Sequence, residues 1–73
     1  MNYYANLSGK SNVESFEIGK DYIAIKFKGK QKIFVYSYFT AGKYNVDKAK
    51  VLANNGSGLN SYIKLNMNND FER

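Results

Sequence analysis

The chain has 73 residues, 44% of them apolar, with eleven Lys and Arg against six Asp and Glu, a net charge of +5, and neither Cys nor His. A chain this short is one small domain that buries only about 60% of the surface its unfolded form exposes, and no disulfide or ordinary zinc site can staple it. The usual general base, thiol nucleophile and soft metal ligands are missing too, so neither catalysis nor a cofactor is expected, while the charge favours an anionic partner.

The longest apolar runs fall far short of the ~20 residues that cross a bilayer, and MNYYANLSGK has no apolar signal-peptide centre. A soluble cytoplasmic protein without membrane contact is expected, and the lack of Cys fits a reducing compartment. Ten of the eleven cations are Lys, with Arg73 alone at the end. Arginine's planar fork reads guanine or phosphate bidentately, so sequence-specific duplex readout is poorly supplied and charge-driven contact is the better expectation.

Residues 1–10 show no period and end in Ser8-Gly9-Lys10. They read as a tail, or as an extra edge strand if Tyr3, Tyr4 and Leu7 find a surface, ahead of a domain over residues 11–73. Val13 to Ile18 alternates, with Phe16 and Ile18 on one face and Glu17 on the other, and Gly19-Lys20-Asp21 closes it with turn chemistry. Tyr22 to Lys28 alternates more cleanly: Ile23, Ile25 and Phe27 share one face, Ala24, Lys26 and Lys28 the other. Gly29-Lys30 reads as a hairpin turn with Gly at its first central position, after which Lys32 to Phe39 forms the third strand.

That third strand is apolar or aromatic on both faces, so the hairpin register decides what it does. A two-residue loop sets Ile25 opposite Phe34 and Ile23 opposite Tyr36, which sends the aromatics to the core and turns Ile33 and Val35 away. A three-residue loop sets Phe27 opposite Ile33 and Ile25 opposite Val35, and Phe34, Tyr36 and Tyr38 then share a face with Lys26, Lys28 and Lys32. A one-residue slip exchanges the faces, and the pattern does not choose between them.

After Thr40-Ala41-Gly42-Lys43 the period changes. Val46, Ala49, Leu52 and Ala53 form one stripe of a short helix over 46–54, with Asn45 as N-cap and Asp47 in the first turn. Asn54-Asn55-Gly56 ends it with residues that tolerate the left-handed conformation. Ser57 then caps a second helix carrying Leu59, Tyr62, Ile63 and Met67. The closing NMNNDFER is polar and expected to fray. The predicted fold is α+β: a three-stranded antiparallel β-meander followed by two short α-helices packed on one face.

Candidate sites are few. Glu14 and Glu17, three apart on a strand, fall on opposite faces, and Asp70 and Glu72 sit in the tail, so neither pair makes an acid–base dyad. Nothing orients a neighbouring Lys on Ser37 as a nucleophile. Gly56-Ser57-Gly58 lacks the following Lys-Ser or Lys-Thr of a phosphate loop and reads as a tight helix–helix turn. Lys26, Lys28, Lys30 and Lys32 either keep an edge strand soluble or contact a ligand. Placed beside Phe34, Tyr36 and Tyr38, they form the combination that single-stranded nucleic acid requires, since bases stack on rings while ammonium groups take phosphates. The competing reading of the same rings is plain core, and a third is a dimer interface.

The strand ending in Phe27, the turn Lys28-Gly29-Lys30, the Phe34/Tyr36/Tyr38 alternation and the helical segment leading to KVLANNGSGLNSYIK resemble the KTSC domain family, named for a module at the C-terminus of some lysyl-tRNA synthetases. Tyr36-Ser37-Tyr38, Ala53, Gly58, Leu59, Asn60 and Ile63 occupy the places of that family's pattern, over about residues 11–65. The chain departs from it at FTAGKYNV, where the family often has Val-Pro. The resemblance implies no settled activity, and its occasional fusion to a tRNA synthetase points toward RNA.

The resulting expectation is a small non-enzymatic binding module for RNA or single-stranded DNA, with Lys26, Lys28, Lys30 and Lys32 on phosphates and Tyr36 and Tyr38 stacking bases. The alternative is a protein-interaction or self-association module, in which the exposed strand pairs with another protein or with its own copy as a homodimer.

Overall fold

Alternation of period two and stripes of period three-and-four settle into seven elements in the computed structural model, which describes residues 1–72; Arg73 lies outside them. The order is β1 (Asn2–Tyr3), β2 (Val13–Ile18), β3 (Tyr22–Phe27), β4 (Ile33–Ser37), α1 (Tyr38–Ala41), α2 (Lys43–Asn55) and α3 (Leu59–Asn66). The strands form one antiparallel sheet in chain order. The class is α+β as expected, with four strands in place of three and three helices in place of two.

The additional strand comes from the first ten residues. Tyr4 is buried and its N–H bonds the Glu14 carbonyl at 3.0 Å, while Leu7 N–H reaches the Gly56 carbonyl at 2.8 Å. The buried Tyr4 ring and these backbone bonds together hold a segment that has no period of its own.

β2 solves a packing problem with a bulge. Val13 pairs with Phe27 and Phe16 with Ile25, and the register shifts between Val13 and Ser15. One extra residue lets Val13 and Phe16, three apart, both face the core. It also carries Glu14 to the same face as Glu17: Glu14 pairs with Lys26 and Glu17 lies opposite Ala24. The expectation that the two glutamates occupy opposite faces is thereby corrected.

The β3–β4 ladder pairs Lys26 with Ile33, Ile25 with Phe34, Ala24 with Val35 and Ile23 with Tyr36, the register of an even-length loop. The turn itself differs from expectation. Lys30 N–H returns to the Phe27 carbonyl and Gly29 takes φ +76°, so Lys28 and Gly29 are the central residues and β4 starts only at Ile33. Burial explains the choice of face: Tyr36 is 2% exposed, whereas Ile33, on the opposite face, is 46% exposed. Placing Phe34 and Tyr36 inward buries more apolar surface than Ile33 and Val35 would.

The third strand was expected to run to Phe39 but stops at Ser37. There the Ser37 hydroxyl accepts the Thr40 N–H and the Thr40 hydroxyl accepts the Ser37 N–H, each at 3.1 Å, a reciprocal cap that starts α1. Tyr38 is therefore helical. α2 begins three residues earlier than expected, with Gly42 as N-cap. Asn45, expected as the cap, instead donates to the Ala41 carbonyl and accepts the Tyr62 hydroxyl at 2.8 Å. Gly56 closes α2 in the left-handed conformation as predicted, and Gly58 in place of Ser57 precedes α3.

Ile23, Ile25, Tyr36, Val46, Leu59 and Met67 are among the residues of the single core cluster. α2 lies against β3 and β4, α1 prolongs β4, and α3 packs on α2, so the helices do not form a uniform layer. The C-terminal segment docks: Glu72 N–H bonds the Val35 carbonyl at 2.7 Å, and the Phe71 ring sits 4.9 Å from that of Phe34. Among the described residues, no helix is long and apolar enough to cross a membrane.

Candidate functional site

Where the β3–β4 hairpin, α3 and the C-terminal segment meet, they line an open cleft of about 460 Å³. Its rings are Phe27, Phe34, Tyr36 and Phe71, its cations Lys28, Lys30 and Lys64, and its carboxamides Asn12, Asn60, Asn68 and Asn69, with Ile63 completing the wall. Strand alternation delivers Phe27 and Phe34 to the inner face, while the first turn of α3 delivers Asn60, the segment after α3 delivers Asn68 and Asn69, and the residue before β2 is Asn12.

The aromatic cluster is built edge to face. Phe27 and Phe34 lie 5.5 Å apart at 70°, Phe34 and Phe71 4.9 Å at 83°, and Tyr36 and Phe71 6.0 Å at 78°. Each such contact adds about 0.5–1.5 kcal/mol beyond area burial. Lys30 and Lys32 hold their ammonium groups 5.7 and 5.2 Å from the Phe34 centroid, and Lys32 lies 5.3 Å from that of Phe71. The rings of Phe27, Phe34 and Phe71 are half-buried, and Tyr36 forms the buried floor. Burial, and secondarily Asp70, pushes the Tyr36 hydroxyl up to about 12, so it is neutral at physiological pH. Among the described residues no carboxylate lines the cleft, although the charge of Asp70 is felt at its floor.

The six residues singled out from the sequence separate into groups. Lys28 and Lys30 line the cleft with Tyr36, and Lys32 stands over its rings. Lys26 does not join them: it belongs to the other sheet face, where its ammonium contacts Glu14 at 3.0 Å. Tyr38 does not join them either. From α1 it donates its hydroxyl to Asp47, with the Lys43 and Lys50 ammonium groups 5.5 and 5.0 Å from its ring. The shared face of Phe34, Tyr36 and Tyr38 is thus broken at Ser37, and Tyr36, as core, presents no open ring to a stacking base.

The sequence assigns no site role to Phe71, Lys64, Asn12, Asn68 or Asn69, and Asn60 enters it only as a position of the KTSC pattern. Phe71 carried a signal, being the one aromatic in an otherwise polar tail, and a lone ring there marks a docking point. Asn12, Asn68 and Asn69 carry none, because they meet Asn60 only through the tertiary fold.

The remaining polar groups have structural duties. The Ser37 hydroxyl is committed to the α1 cap. Glu17 accepts the Tyr22 hydroxyl at 3.0 Å, which together with its charge raises the Tyr22 hydroxyl above its ordinary value. Leu59 N–H, at the start of α3, is taken by the Tyr4 hydroxyl. No group of three or more metal-ligating residues occurs among the described residues.

Compared with protein-family models, curated proteins and solved structures, the chain matches none. The KTSC resemblance accordingly rests on its motif residues alone.

Proposed function

We propose that this chain is a small non-enzymatic binding module that engages RNA or single-stranded DNA through the cleft beside the β3–β4 hairpin. One observation carries the reading: half-buried rings, lysines and carboxamides converge in one concavity that no described carboxylate lines. Rings supply stacking that tolerates any base, and lysines supply phosphate contact. With no carboxylate among its lining residues the cleft presents more positive than negative charge to a polyanion, Asp70 acting only at its floor. Lys28, Lys30 and Lys32 take the phosphate role, joined by Lys64. The half-buried rings of Phe34 and Phe71 take the stacking role first assigned to Tyr36 and Tyr38.

Binding of short mixed-sequence RNA and single-stranded DNA to the isotope-labelled protein tests this. Amide shifts are expected over residues 27–36 and 60–71, persisting at physiological salt, with log affinity falling by about 0.7 per log unit of salt for each phosphate contacted. Lys28→Glu combined with Lys30→Glu should weaken binding about tenfold or more, as reversal of two phosphate-facing charges requires. Lys26→Glu, on the other face, should do little. Equal effects of the two changes, or no shifts with any oligonucleotide, would refute the reading.

The alternative, an interaction or self-association module pairing through an exposed strand, has less support. The open edge of β4 already receives Glu72 N–H at Val35, which leaves less of that edge for a second chain.

A further inference from the structure

We infer that the cleft takes a single unpaired nucleotide of a strand, with its base against Phe34 and its phosphate on the hairpin lysines, and that Asn60 reads the base edge. This rests on the nucleic-acid reading above and narrows it to a footprint and a mechanism.

The footprint follows from shape. A volume of about 460 Å³ lies toward the small end of the roughly 300–1,000 Å³ of ligand sites, whereas grooves that track single strands extend over about 4–16 nucleotides. The cleft is lined by Asn68, Asn69 and Phe71, which follow α3, and by Lys28 and Lys30 of the hairpin tip, and it is half open to solvent. It is a socket for one unit and not a track.

The mechanism follows from where the lysines rest. In the free protein Lys30 and Lys32 lean their ammonium groups toward the Phe34 ring at 5.7 and 5.2 Å, a cation–π arrangement at exposed side chains. A base arriving at that ring displaces them. Their stems are long enough to swing the charge outward onto the phosphate of the same nucleotide. Ring and ammonium thus exchange one partner each, so base and phosphate are recognised together, and a phosphate without a base meets the lysines but leaves the rings uncovered. An acidic peptide would use the lysines but has no flat partner for the rings.

Base discrimination falls to the carboxamides, because each offers both a donor and an acceptor. Asn60 is the best placed: it is half-buried and belongs to the first turn of α3, while Asn68 and Asn69 are exposed. The helix fixes the backbone from which the Asn60 carboxamide projects, whereas Asn68 and Asn69 lie beyond its end.

The full chain, isotope-labelled, is titrated in parallel with the four 5′-mononucleotides, ribose 5-phosphate, hexanucleotides and a glutamate-rich peptide. Mononucleotides are expected to shift the amides of Phe34, Tyr36, Ile63 and Phe71, ribose 5-phosphate and the peptide are not, and hexanucleotides should move the same set. Lys30→Gln should weaken mononucleotide binding about fivefold, Phe34→Leu about tenfold, the latter matching loss of one stacked base. Asn60→Ala should bring the four nucleotides to equal affinity. If Phe34→Leu unfolds the chain, the exposed Lys30→Gln variant still decides. Hexanucleotide binding without mononucleotide shifts in the cleft, or equal response to ribose 5-phosphate, would overturn the single-nucleotide inference and leave the broader reading standing. Binding of the peptide alone, or of no oligonucleotide, would overturn both.

Discussion

The hydroxyl oxygen of Tyr4 accepts the backbone N–H of Leu59 at 3.3 Å, joining residues 55 apart in the chain. Leu59 opens α3, and the residue before it, Gly58, has no side chain with which to cap the helix. A residue of the N-terminal segment thus completes a helix near the C-terminus. Tyr4→Phe keeps the ring and removes the acceptor. It should lower unfolding free energy by about 1–2 kcal/mol, the cost of a buried donor left without a partner. Urea denaturation measures this, and an unchanged midpoint would mean that the amide has another acceptor.

Gly29 and Gly56 share φ +76° but differ in surroundings. A Cβ on Gly29 meets nothing within 4 Å, whereas one on Gly56 falls 2.6 Å from the Ala5 Cβ. Gly29→Ala should cost only the left-handed backbone penalty, about 1 kcal/mol. Gly56→Ala should cost about 2 kcal/mol or more, since strain and overlap add. Combining Gly56→Ala with Ala5→Gly should recover part of the difference; no recovery would rule out the overlap as its cause.

Tyr36 makes stability fall at alkaline pH. Its hydroxyl is raised from the ordinary 10.0 to about 12 by burial and then by Asp70, so the folded state keeps a proton that the unfolded state loses. The stabilisation is therefore fully present below pH 10 and lost as pH rises toward 12, amounting to about 2–3 kcal/mol at most. Tyr36→Phe should flatten this part of the pH–stability profile. A parent and variant that decline in parallel would contradict the assignment.

Asp47 works at the opposite end of the pH scale. The hydrogen bond from Lys43, and next that from the Tyr38 hydroxyl, hold its carboxyl below the ordinary carboxylate value. Its contribution is present above the unfolded carboxylate value and disappears as pH falls through the lower folded one. A side-chain NMR titration should place Asp47 below an unperturbed aspartate, and Lys43→Gln should move it back up. An Asp47 titration that ignores this change would show that Lys43 does not set it, leaving Tyr38 and Lys50, whose ammonium lies 3.7 Å from the carboxylate.

These residues also mark how far the sequence could be read. β3 matches its period because Ile23 and Ile25 alternate with Ala24 and Lys26, and β2 matches it from Ser15 to Ile18, beyond the bulge. α2 and α3 match because Val46, Ala49, Ala53, Leu59 and Ile63 recur at helical spacing. The end of β4 was overlooked although Ser37-Tyr38-Phe39-Thr40 contains the cap, because the alternation of Phe34, Tyr36 and Tyr38 continues through it. Of the cleft, Lys28, Lys30, Lys32 and Tyr36 were singled out, but Lys26 and Tyr38 belong elsewhere.

What the amino-acid order determined by itself was local: β2, β3, α2 and α3 in outline, the cationic hairpin, and the lack of His and Cys. The tertiary structure decided which face of β4 is inward, which side of the sheet carries Glu14, and whether residues 1–10 and 68–72 belong to the body. Local periods depend on neighbours in the chain and repeat when the chain is shifted by one pairing. Register, bulge and docking depend instead on total buried area. Only the assembled core could weigh Phe34 and Tyr36 against Ile33 and Val35, bring Tyr4 to Leu59, and set Phe71 against Phe34.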